Sequence, residues 1–232
     1  MAQYFYGVGS MKQCLIVGAG TRFGRELTLH LLGDGYHVHL VTSAGKDWDN
    51  VENVTVINVN WSEVTISSLR SLIPNTDHLD LIFFNHNASA LSHPKFNKSA
   101  MQRPQDWQNA YFTACQLPYY LVHALGNKIT PDTKVVWMLS ELIKIVPNHQ
   151  VGYADYIGNK FTNACIMRAF SVNYPACFFG VHPKGGLYTE QDWTEKSQNI
   201  VRLLNTKTAQ ELNGRIFSTE GELLDIYAPS LD

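Results

Sequence analysis

The chain has 232 residues, 45% of them hydrophobic and only 16% charged, with a formal net charge of −2. That length fits one α/β domain, residues 1–232, with a full core, and the small charge leaves no overall attraction to nucleic acid or anionic lipid. The charged share is below the roughly 25% usual for globular domains, so some apolar surface is expected to be covered between subunits.

Residues 1–10, MAQYFYGVGS, form an N-terminal arm or an appended extension ahead of Met11. Lys12 to Val17 is a short apolar run of strand type. The glycine turn GAGTRFG, Gly18 to Gly24, leads from it into a helix over Arg25 to Leu32 that Gly33 to Gly35 ends. Strands are expected at His37 to Thr42 and Val54 to Val59, joined by a connection too short for a crossover carrying a full helix. A helix over Glu63 to Leu72, a strand at Leu79 to Phe84 and a long helix over Arg103 to Leu125 follow. The strand Val135 to Leu139, a helix through Tyr156 to Phe170 and the strand Ala176 to His182 complete the alternation. Strand and helix alternating in this way predict a doubly wound, Rossmann-like parallel sheet in three α/β/α layers, with ligand chemistry at the carboxyl ends of the strands.

Cys14, Cys115, Cys165 and Cys177 are singletons without CxxC spacing, as expected of buried thiols in a reducing compartment. No apolar run reaches the length of a membrane span, and the first ten residues lack the features of a signal peptide, so a cytoplasmic location is expected, with no membrane partner. The nine histidines include no HExxH, and His37 and His39 alternate along a strand, so no metal site is expected. His86 stands apart, at a strand carboxyl end.

Two features carry chemistry. A glycine turn at a first strand-helix junction lets the backbone approach a pyrophosphate, which the positive helix N-terminus then favours. In YADYIGNK, Tyr156 and Lys160 share a helical face at i and i+4, so the ammonium can favour the phenolate and let the phenol exchange a proton near neutral pH.

With these motifs the chain, from Lys12 to about Tyr227, resembles the short-chain dehydrogenase/reductase family. Gly18 and Gly24 match the outer glycines of its GxxxGxG turn, Arg22 takes the middle position, and Gly20 lies two residues early. Asn60 stands where the family commonly has an aspartate near the adenine. LDLIFFNHNAS is similar to its DxLxxNAG strand end, with Asn85 matching. VHPKGGLYT resembles its PGxxxT segment through Pro183 and Thr189, and NGRIFSTEGELL its final strand and turn.

The resemblance implies that Tyr156 is the general acid or base, that Lys160 lowers its pKa and binds the nicotinamide ribose, and that Ser140, ending VVWMLS, holds the substrate oxygen. Ser140 lies 16 residues before Tyr156, a few more than usual in the family. It also implies a cofactor cradle of Gly18, Gly20, Thr21, Arg22, Phe23, Gly24, Thr42, Ser43, Asn60, Asn85, Lys160, Pro183 and Thr189. The family's relay asparagine corresponds to Ala114, which neither donates nor accepts. Thr42 and Ser43 bring no carboxylate to the end of the second strand, while Arg22 and Lys46 are cations within reach, so NADP(H) is expected in preference to NAD(H), which stays possible.

Tyr188 to Asn205 is expected to form a small lid, with Trp193 toward a small-molecule substrate. A homodimer or homotetramer is implied, built on the long helix and the Tyr156 helix. The expected activity is hydride transfer between nicotinamide and a carbonyl or secondary alcohol. Arg22 and Ala114 keep open a non-catalytic NAD(P)-binding sensor or partner subunit, and reduction of C=N or C=C bonds is a further alternative.

Overall fold

A computed structural model describes residues 11–43, 45–61, 63–85, 104–143, 154–185 and 189–224. Seven parallel strands form one sheet in the order β3-β2-β1-β4-β5-β6-β7. They are β1 (Lys12–Val17), β2 (Tyr36–Thr42), β3 (Val54–Asn58), β4 (Leu79–Phe84), β5 (Ile129–Met138), β6 (Cys177–His182) and β7 (Ile216–Ser218). The helices are α1 (Arg22–Gly33), α2 (Pro104–Tyr111), α3 (Leu117–Leu125), α4 (Ala154–Asn173), α5 (Glu190–Thr206) and α6 (Ala209–Leu212). This is the Rossmann-like, three-layer architecture expected from the alternation.

Successive strand residues point to opposite faces, and two apolar clusters follow from that. On one face Leu15, Phe84, Trp137 and Phe178 pack with Leu121 of α3 and Met167 and Phe170 of α4. On the other, Ile16, Leu40, Phe83 and Phe179 meet Leu27 and Leu31 of α1 and Ile200 and Leu203 of α5. Because both faces are covered, the central strands read as unbroken apolar runs.

Several elements differ from expectation. The segment before β4 is a 3-10 helix over Ile66–Leu72, shorter than the helix predicted from Glu63, and Thr65 caps it in a capping box with Ser68. The short β2–β3 connection carries only the 3-10 turn Lys46–Trp48 and turns through Asn50 and Asn53 at positive φ, a conformation asparagine tolerates. The long helix contains a π-turn at Phe112–Gln116, where the Leu117 N–H donates to the Phe112 carbonyl. Pro118 explains it: the residue has no N–H, and its ring crowds the carbonyl four residues back, at Ala114.

The segment expected as a lid is, from Glu190 onward, helix α5. Ile200, Leu203 and Leu204 recur at helical spacing and are buried in the core beside α1, so the helix is anchored to the sheet. Cys14, Cys115 and Cys177 are buried as expected, whereas Cys165 faces outward from α4. Among the described residues, no helix is long and apolar enough to cross a membrane, and no group of three or more histidine, cysteine or acidic side chains can hold a metal ion.

His39 on β2 is buried, and its Nε2 donates to Gln13 Oε1 at 3.0 Å while Nδ1 has no partner among the described residues. Burial first, and the neighbouring His37 second, lower its pKa from 6.5 to about 4. The unfolded chain therefore takes up this proton at a higher pH than the folded one. Stability from this group is full above about pH 6.5 and declines as pH falls toward 4. Urea midpoints should drop across that window, and His39→Gln should flatten the decline; an unchanged slope in the variant would remove His39 as its source.

Candidate active site

The strand order puts β1 between β2 and β4, so the chain winds away from β1 in both directions and opens a crevice at the strands' carboxyl ends. A cleft of about 220 Å³ lies there, lined by Thr21, Arg22 and Phe23 of the glycine turn and α1, by Asn85 after β4, by Met138 and Leu139 at the end of β5, by Tyr156 and Lys160 of α4, by Pro183 after β6, and by Trp193 of α5.

The turn itself is tightly fixed. Gly18 has φ +89°, which glycine adopts without steric penalty. Thr21 caps α1: its Oγ1 accepts from the Gly24 N–H at 2.9 Å. Asn85 Nδ2 donates to the Gly18 carbonyl at 3.1 Å and to Thr21 Oγ1 at 2.9 Å, and the Asn85 N–H donates to the Val17 carbonyl at 2.9 Å. Asn85 thus fastens the end of β4 to the turn. Gly24 is needed for packing inside the protein, because a Cβ there would stand 2.8 Å from the Ala19 carbonyl oxygen. The sequence attributes that need to pyrophosphate approach; the geometry attributes it to the turn's own backbone.

Lys160 is buried at 4% exposure. Its Nζ donates to the Met138 carbonyl at 2.7 Å and stands 5.6 Å from the centre of the Tyr156 ring. Burial lowers its pKa from 10.5 to about 8, with a smaller opposing contribution from the Cys115 thiol. The same burial raises Cys115 to about 12, the nearby ammonium pulling it the other way. Cys115 belongs to the π-turn, and its Sγ lies 3.4 Å from the Asn159 carbonyl. Asn159 and Asn163 are buried as well, the Nδ2 of one and the Oδ1 of the other without a partner among the described residues.

Tyr156, Asn159, Lys160 and Asn163 therefore form a polar stripe at i, i+3, i+4 and i+7 on the first half of α4, which Ala164, Met167 and Phe170 replace with core farther along. The sequence offers the Tyr156–Lys160 pair. It gives no sign of the Met138 carbonyl or of Cys115, since both meet Lys160 only through the fold.

The remaining candidates lie around this centre. Ser140 follows the cleft-lining Leu139, is largely buried, and its carbonyl accepts from the Ile143 N–H at 3.2 Å as a short 3-10 turn begins. Gly20 is exposed in the turn. Thr42 is buried at the end of β2, Ser43 beyond it is exposed, and Asn60 is exposed two residues past β3; all three sit along the neighbouring strand ends rather than in the cleft wall. Thr189 caps α5 in a capping box with Asp192. Ala114 is buried in the π-turn. Arg22 lies with its guanidinium 5.0 Å from the centre of the Trp193 ring, on the cleft side, whereas Lys46 belongs to the 3-10 turn that follows β2 and Arg25 pairs with Asp47 of that turn at 3.1 Å. His86 lies outside the described residues.

No family model matches the chain, and no curated protein matches its sequence. Solved structures do match its fold. The carbonyl reductase Sniffer of D. melanogaster superposes with a TM-score of 0.70 at 19% identity, covering 92% of this chain and 99% of that one. A carbonyl reductase from Pseudomonas aeruginosa PAO1 in complex with NADP gives 0.71 at 15% identity, covering 92% and 99%. A doubly substituted short-chain dehydrogenase/reductase of Serratia marcescens gives 0.69 at 15% identity, covering 89% and 94%. The chain thus has the fold of short-chain dehydrogenase/reductase structures.

The residues present suit a dinucleotide. The first turn of α1 contains no acidic side chain, so its positive end meets the cleft uncompensated, and Lys160 adds a buried cation at the far wall. The folded pKa of Lys160 lies below its unfolded value, so its cost to stability is full below about pH 8 and is relieved as pH rises toward 10.5. In lysine-selective NMR one ε-amine should titrate near pH 8, and that titration should vanish in Lys160→Met. A full set of amines titrating at ordinary values would reject the buried-cation assignment.

Proposed function

We propose that the protein is an NADP(H)-dependent oxidoreductase acting on a small carbonyl compound or secondary alcohol. The observation that carries this reading is the convergence, in one cleft at the strand carboxyl ends, of the α1 N-terminal turn with Tyr156 and the buried Lys160 ammonium. A bound nicotinamide supplies or accepts the hydride at carbon, and the chain's own groups manage the proton at oxygen.

In the reducing direction the Tyr156 hydroxyl gives its proton to the carbonyl oxygen as the new C–H bond forms, and the phenolate regains a proton from solvent. In the oxidising direction it accepts the alcohol proton. Lys160 stabilises the phenolate electrostatically, its position held by the Met138 carbonyl. Ser140, just beyond the cleft wall, is assigned to orient the reacting oxygen, and the turn from Gly18 to Gly24 holds the pyrophosphate. Tyr156→Phe should lower turnover at least about a hundredfold, the scale of general acid-base catalysis, while leaving dinucleotide affinity within about twofold. Retained turnover would reject the assignment.

The 2′-phosphate preference rests on Thr42 and Ser43, which bring no carboxylate to the end of β2, and on the exposed Lys46 three residues beyond Ser43. The NADP-bound neighbour fits that preference. Calorimetric titration should give tighter binding of NADPH than of NADH; equal or tighter NADH binding would overturn it. Ala114 within the π-turn favours a second reading, a dinucleotide-binding protein without turnover. Saturable binding with no oxidation of NADPH across a broad panel of carbonyl, imine and enone substrates would select it.

A further inference from the structure

Arg22 occupies an electrostatically unfavourable place. It is the first residue of α1, where the helix dipole presents positive charge, and no acidic side chain stands in that turn to compensate. Among the described residues it makes no salt bridge; instead its guanidinium stacks on the indole of Trp193, 5.0 Å from the ring centre. Trp193 sits on the first turn of α5, which the Thr189–Asp192 capping box starts, and the Thr194 hydroxyl ties that turn to α1 by donating to Glu26 Oε2 at 3.2 Å. The stack therefore spans from α1 to α5 across the cleft that also contains Tyr156 and Lys160. With the stack in place the cleft measures about 220 Å³, less than the roughly 300–1,000 Å³ of a typical ligand pocket.

We propose that the Arg22–Trp193 stack is an anion-sensitive latch: a dinucleotide pyrophosphate at the α1 N-terminus draws the guanidinium away from the indole and so uncovers to substrate the face of Trp193, which already lines the cleft and packs against the core. This rests on the dinucleotide reading above and adds an order to it, with nucleotide binding before the substrate pocket reaches full size. The physical basis is a competition. An exposed cation–π contact is weak, whereas a guanidinium–phosphate bond beside a helix N-terminus is charge-assisted and geometrically matched.

The test follows tryptophan emission during titration with NADP⁺, whose oxidised nicotinamide does not fluoresce, alongside calorimetry on the same protein. Wild-type emission should change with the midpoint that calorimetry gives. In Arg22→Ala the emission should already resemble the nucleotide-bound state and stay constant on addition. Trp193→Leu, with no stack to break, should bind NADP⁺ about two- to fivefold more tightly. Calorimetric binding without an emission change, or equal or weaker binding by Trp193→Leu, overturns the latch and leaves the dinucleotide reading standing. Absence of calorimetric binding overturns both.

Discussion

The bond from the Lys160 ammonium to the Met138 carbonyl organises the candidate site. A buried cation is costly unless its hydrogen bonds are satisfied, and here a backbone oxygen at the end of β5 meets that need at 2.7 Å. The contact sets where the first half of α4 lies against the sheet and so where the Tyr156 ring stands. It also requires the preceding residues of α4 to be polar on a face that elsewhere packs into the core. The same desolvation lowers the amine's pKa to about 8, so at neutral pH it is still mostly an ammonium and favours the phenolate of Tyr156.

The opposite wall is set by a different constraint. Asn85 joins the end of β4 to the β1–α1 turn through three hydrogen bonds, and Gly24 lets α1 pass within contact of Ala19. Both keep the α1 N-terminus aimed into the crevice between adjacent parallel strands. The two walls come from segments far apart in sequence, and only the register of β1, β4 and β5 brings them together.

Much of the architecture was legible in the sequence because apolar strands alternate with helical segments and glycine or asparagine turns separate them. β1 and β4 fall on the residues their composition predicts, since a strand buried on both faces needs an unbroken apolar run. Weaker signals misled. Glu63 to Leu72 has helical periodicity, yet Thr65 and Ser68 close a capping box that starts a tighter 3-10 turn later. The region expected to cover the substrate contains Ile200, Leu203 and Leu204, whose spacing is that of a core helix, and the resemblance obscured that plainer reading.

By itself the sequence determined the order of elements, the glycine turn at the first strand-helix junction and the spacing that sets Tyr156 and Lys160 on one helical face, because each depends on local geometry. Tertiary structure alone decided which carbonyl holds the ammonium, that Cys115 is its neighbour, and that Arg22 turns toward Trp193 while Arg25 pairs with Asp47. Those outcomes depend on packing between residues tens of positions apart, and no local pattern in the chain encodes them.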